Sequence, residues 1–116
     1  MQDLQARTKK FAVDVVRFCS HLPQKQEFWI IGKQLMRCGT SVGANYRSAC
    51  RAKSRPDFIN KLSIVEEEAD ESIFWFELLG ELGISQDKEL LRLKDEANQL
   101  VAIVVASKKT ARAHAS

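Results

Sequence analysis

Five basic side chains in the middle of this sequence have a spacing that suits one kind of chemistry. Lys33, Arg37, Arg47, Arg51 and Arg55 fall in one narrow sector when placed on a helix at about 100° per residue. Only Thr40 and Ala44, both small, share that sector between the two arginine groups. At a rise of about 1.5 Å per residue, a helix carrying all five would present a positive stripe roughly 33 Å long. Such a stripe suits a polyanion, because each neutralised phosphate releases condensed counterions. The competing reading is a solvated charged face, or one paired with acids of the same chain. No aromatic side chains alternate with the basic ones, so a stacking platform for single-stranded bases is not indicated.

The acids Glu66, Glu67, Glu68, Asp70 and Glu71 raise a second possibility, since helical bundles hold di-metal centres with carboxylates and Glu-x-x-His pairs. No Glu-x-x-His occurs, and His21 and His114 stand near helix or chain ends; no metal site and no cofactor is expected. Gly39-Thr40-Ser41-Val42-Gly43 lacks the lysine and spacing of a phosphate loop. Ser41, Cys38 and Cys50 have no histidine placed to act as their base. The expectation is a protein without catalytic activity.

These residues must be carried by helices. Asp3 is a plausible N-cap, and Leu4, Phe11, Val15, Phe18 and Leu22 follow at near-heptad spacing until Pro23 ends the pattern. A second stripe, Phe28, Ile31, Leu35, Val42, Tyr46 and Ala49, runs through Gly32, Gly39 and Gly43. Each of those glycines costs about 1 kcal/mol relative to alanine inside a helix. The stripe keeps phase across them, which favours a continuous helix approached closely by another backbone. Ser54-Arg55-Pro56-Asp57 matches a capping box with proline in the first turn. Phe58, Leu62, Val65, Ala69, Ser72, Phe76 and Leu79 then repeat at alternating steps of four and three. Gly83 suits a C′ position and Ser85 an N-cap, ahead of Leu90, Leu93, Ala97, Leu100 and Val104.

The spacing predicts helices at about 3–22, 26–53, 55–82 and 86–107, with a basic flexible tail over 108–116. Short connections force antiparallel neighbours. The fold class is therefore all-α, an antiparallel up-down-up-down four-helix bundle in one domain over 1–107.

Helix 3 is apolar on two sides. Opposite its seam lie Ile64, Phe74, Trp75, Leu78 and Leu82. One side of a bundle helix normally faces water, so a second apolar side predicts self-association through these residues. The formal charge of +3 is modest but segregated: 33–61 holds seven basic residues and one acid, and 66–81 holds seven acids and no base. The longest uncharged run, 97–107, falls far short of the roughly 20 residues that span a bilayer. No secretory signal is visible. Three cysteines without paired spacing read as small buried or half-buried side chains in a reducing compartment, so the cytoplasm is the expected location.

The stretch from Phe28 to Leu79 resembles the small four-helix bundle proteins encoded within intervening sequences of bacterial large-subunit ribosomal RNA genes. The residues that carry the likeness are 34–47 (QLMRCGTSVGANYR), Ala49-Cys50-Arg51-Ala52, Asp57-Phe58-Ile59 with Lys61-Leu62, Glu67-Glu68-Ala69-Asp70-Glu71-Ser72 and Trp75-Phe76-Glu77-Leu78-Leu79. Arg7-Thr8-Lys9 and Phe11 agree as well. The resemblance implies a ring-like homopentamer with no assigned enzymatic activity. A related branch, the accessory variability protein of diversity-generating retroelements, is a basic pentamer that binds nucleic acid and a reverse transcriptase. By that likeness Arg37, Arg47, Arg51 and Arg55 form the candidate contact surface for RNA or DNA.

Two function classes follow. One is an oligomeric nucleic-acid-binding protein using the stripe. The other is a protein-interaction scaffold, in which the basic and acidic faces pair between subunits without nucleic acid.

Overall fold

The computed structural model of the chain describes residues 3–84 and 87–114. Four helices follow one another: α1 (Leu4–Ser20), α2 (Gln26–Cys50), α3 (Arg55–Leu79) and α4 (Lys88–Ala113). They form an up-down bundle about 51 Å long and 20 Å across. Local chemistry sets the starts. The Asp3 carboxylate accepts the Ala6 N–H at 3.1 Å, and Ser54 Oγ accepts the Asp57 N–H at 3.2 Å. Ser85, expected to cap the last helix, lies outside the described residues; there Asp87 accepts the N–H groups of Glu89 and Leu90. α3 leaves through a wide π-type turn, Gly80–Ile84, in which Gly83 takes φ 104°, a conformation that favours glycine.

The core follows the expected stripes. Phe11, Val15 and Phe18 meet Leu35 and Val42 from α2, Leu62, Val65, Ala69, Phe76 and Leu79 from α3, and Leu93, Ala97 and Leu100 from α4, all buried. Phe18 and Phe76 stack edge to face, with ring centroids 5.8 Å apart. Tyr46 and Phe58 are only partly buried at the margin. Two polar side chains are buried, and each is satisfied. Thr8 Oγ1 donates to Leu4 O at 2.7 Å, and Ser72 Oγ donates to Glu68 O at 2.8 Å.

The α2 glycines serve close approach within the subunit. A Cβ on Gly39 would sit 2.7 Å from Val15 Cγ1, and one on Gly43 would sit 3.2 Å from the Thr8 carbonyl oxygen. Helix α2 packs along both α1 and α3, and α3 along α4, whereas α1 and α4 touch least. Charge bridges that last seam. The Arg7 guanidinium grips Glu96 through Nε and Nη2, both at 2.7 Å, and Arg92 reaches Asp14 at 3.1 Å.

Two expected boundaries are corrected. α2 ends at Cys50, not near 53, because the N–H groups of Arg51 and Ala52 turn back to Ser48 and Ala49. Arg55 therefore opens α3 and does not extend α2. The expected flexible tail is helical as far as Ala113, because Lys108 is anchored on α3, 2.7 Å from Glu66 and 3.2 Å from Ser63 Oγ. Cys50, expected to be at least half-buried, is exposed.

Two measurements test this arrangement. Replacing glycine by alanine inside a helix gains about 1 kcal/mol, but forcing a methyl into a filled contact costs about 1–3 kcal/mol. Gly39→Ala should therefore destabilise the fold by a net ~0–2 kcal/mol, read as a lower urea midpoint, and Val15→Ala should relieve part of that loss in a double-mutant cycle. A more stable Gly39→Ala would mean that α1 does not lie against α2 there. Burial pushes the Cys19 thiol up to about 12 and raises that of Cys38. A thiol reagent at pH 8 should add once to the native protein, at Cys50, and three times in urea, as read by mass spectrometry.

Candidate nucleic-acid interface

The five stripe residues reach the surface in unequal states. Lys33 Nζ lies 4.4 Å from the Trp29 ring centroid one helical turn away, a cation–π contact that leaves the charge accessible. Arg37 is engaged. Its guanidinium lies 3.2 Å from Glu68 and donates to Glu71, and its Nε donates to Gln34 at 3.3 Å. The Trp75 indole N–H donates to the same Glu71 carboxylate at 3.0 Å. That bond, joined by Arg37 and opposed by desolvation, holds the Glu71 carboxyl below its usual range. The middle of the stripe is thus neutralised by α3.

Arg47 and Arg51 differ. Both are exposed, and neither makes an ion pair among the described residues. Arg47 sits in the last turn of α2 and Arg51 at its C-cap. Arg55, at the first position of α3, donates to the carbonyl of His114 at the end of α4. The continuous stripe expected along one helix is therefore divided. Lys33 stands toward the start of α2, Arg37 is spent on α3, and Arg47, Arg51 and Arg55 gather where α2 gives way to α3.

A shallow groove between α1 and α2, about 330 Å³, runs beside Arg47 over Thr40, Gly43, Ala44 and Ala12, with Lys9 on its other wall. Lys9 was absent from the sequence-based candidates. Only the glycine contact between α1 and α2 brings it beside Arg47, and no local spacing encodes that.

The α3 acids are partly occupied within the subunit. Glu66 lies 2.7 Å from Lys108, and Glu77 lies 3.8 Å from Lys94. Glu67 and Asp70 are exposed. Among the described residues no three His, Cys, Asp or Glu side chains converge in a geometry that would hold a metal ion.

The apolar face of α3 is also divided. Phe74 and Leu82 are about half exposed, at 52% and 46%. Leu78 is half-buried, and with Phe74 and Leu91, itself 52% exposed, it edges a cleft of about 550 Å³ between α3 and α4. Ile64 lies half-buried further toward the start of α3. Trp75 turns toward Glu71 while stacking edgewise on Phe74 at 4.9 Å. Sequence reasoning missed Leu91, Trp29 (64% exposed) and Ile30 (48%). The signal for the last two was present: both fall out of phase with Phe28 and Ile31. No helix of the described residues is long and apolar enough to cross a membrane.

Comparison with known proteins supplies the context. The family model of the 23S rRNA-intervening sequence protein matches residues 2–106. A crystal structure of a protein of unknown function from the S23 ribosomal protein family of Bacteroides thetaiotaomicron superposes with a TM-score of 0.83. Its sequence is 33% identical, over 90% of this chain and 97% of that one. No curated protein matches. With the match running from α1 into α4 and the same helical arrangement in a solved relative, the chain belongs to the 23S rRNA-intervening sequence protein family.

Proposed function

We propose that this chain is a non-enzymatic cytoplasmic bundle that assembles into a homo-oligomer, a pentamer by family likeness, and holds the phosphate backbone of nucleic acid. The observation that carries the second part is the state of Arg47 and Arg51, exposed and without acidic partners among the described residues, with Lys9 across the groove. Guanidinium forks suit phosphate oxygens, and contacts of this kind give affinity without sequence preference. Support for self-assembly comes from the cleft edged by Phe74, Leu78 and Leu91, with Leu82 exposed in the turn after α3, apolar surface a monomer would leave wet.

The scaffold reading has its own support. Glu67 and Asp70 are exposed on α3, and Arg37 with Glu68 and Glu71 provides a pattern for arginine–carboxylate pairing between helices. On that reading Arg47 and Arg51 meet acids of a neighbouring subunit.

Light scattering at low salt separates the two, with and without a short structured RNA. The nucleic-acid reading expects a mass near five times 13.2 kDa that rises when RNA is added. In Arg47→Ala/Arg51→Ala the assembly should persist while RNA affinity falls about tenfold or more. An assembly that ignores RNA and comes apart in the double variant supports the scaffold. A monomeric native protein overturns self-assembly on either reading. Leu91→Asp, placed in the apolar cleft, should reduce the native mass and leave helical content unchanged.

A further inference from the structure

Charge in this bundle is sorted along its length. One end gathers the close of α2, the start of α3 and the close of α4. Residues 47–61 bring Arg47, Arg51, Lys53, Arg55 and Lys61 against a single acid, Asp57, and 108–114 bring Lys108, Lys109 and Arg112 with no acid. Antiparallel α1 adds Asp3, occupied as an N-cap. Asp57 accepts the backbone N–H of Lys53, and Lys108 is engaged with Glu66. Lys53, Lys109 and Arg112 are exposed. Helical continuation of α4 to Ala113, with Arg55 donating to His114 O, sets the last two beside the α2–α3 turn.

Helix stability explains only part of this cluster. The close of a helix is its negative pole, so Arg47 in the last turn of α2 and Arg112 in the last turn of α4 are placed favourably. Lys53 and Arg55 flank the start of α3, but Arg55 also caps the close of α4 through the His114 carbonyl, a favourable place for a cation. Lys53, Lys109 and Arg112 are exposed with no acidic partner among the described residues, which points to a use outside folding.

We propose that this blunt end is a phosphate-binding surface for duplex nucleic acid, with Lys53, Lys109 and Arg112 as contacts in addition to Arg51; the proposal rests on the nucleic-acid reading above and adds a location to it. A duplex presents one phosphate per ~1.7 Å of its axis, so a width like that of the bundle spans roughly a dozen of them, more than enough to engage every cation. A membrane surface fits less well. Interfacial binding needs apolar anchors among the cations, and Trp29, Ile30, Phe74, Leu82 and Leu91 all lie toward the opposite end. Val105, two turns before the close of α4, is the nearest exposed large apolar side chain.

The test is fluorescence anisotropy with a labelled 20-base-pair duplex across a salt series. The proteins are the full-length chain, Lys109→Ala/Arg112→Ala, Lys53→Ala, and Lys88→Ala, at the start of α4, as the control far from this end. Removing two phosphate contacts should weaken binding about tenfold and flatten the salt slope by about 2. Lys53→Ala should flatten it by about 1, and Lys88→Ala should leave it unchanged. Wild-type affinity and slope in both end variants overturn this surface while leaving nucleic-acid binding in place. A native protein that binds no duplex at low salt, or that binds phosphatidylserine vesicles instead, overturns the nucleic-acid reading and this proposal with it.

Discussion

At Gly39 the α2 backbone comes so close to Val15 of α1 that no side chain fits between them, and the layout of the surface depends on that contact. Gly43 repeats it against the Thr8 carbonyl one turn further along. With α1 seated this deeply, the outer groove between the helices is shallow and floored by small residues. Lys9 and Arg47 are thereby brought to facing walls. The same contact fixes the rotation of α2. Leu35, Cys38 and Val42 are committed to the core, and the arginine-bearing side is left to face outward or toward α3. A seam of this kind is stabilised by dispersion and backbone proximity more than by apolar area, which is why glycine is retained despite its cost in helix propensity.

Much of the bundle is legible in the sequence because its signals are local. The four-three spacing from Leu62 to Leu79 marks a buried seam, Ser54 and Pro56 mark a helix start, and Gly83 marks a stop. The failures share a different cause. No apolar stripe continues past Val104 to mark a helix at Lys108; what holds it there is Glu66, which lies 42 positions earlier in the chain and one helix away. The neutralisation of Arg37 likewise depends on Glu68 and Glu71, which α3 brings alongside. The premature end of α2 has a third origin. Arg51, Ala52 and Lys53 include no glycine or proline, so only the backbone shows where the helix gives way. Periodicity assigns faces well, but it does not say which charges on neighbouring faces will find one another.

The two chemistries of the surface are largely separated, Lys33 over Trp29 being the exception. The large exposed apolar side chains Trp29, Ile30, Phe74, Leu82 and Leu91 are concentrated where α2 begins and α3 ends, and cations without acidic partners are concentrated where α2 ends and α4 closes. Burying the apolar group against another subunit would leave the basic group in water. The separation matters physically, because a cation next to an apolar contact has to be desolvated when that contact forms. An acid-rich α3 between the regions adds pairing partners for the cations of α2 and α4 within the subunit.

The polar seam between α1 and α4 has a kinetic consequence. Every extensive interface in the bundle joins helices adjacent in the chain, so most of the native contacts are short-range and each hairpin can form without waiting for the rest. Only closure of α1 against α4 brings distant parts of the chain together, and there Arg7–Glu96 and Arg92–Asp14 bridge the two helices. Ionic strength screens such pairs more than it weakens apolar burial. Added salt thus acts on the last step of folding and leaves the hairpins largely as they were.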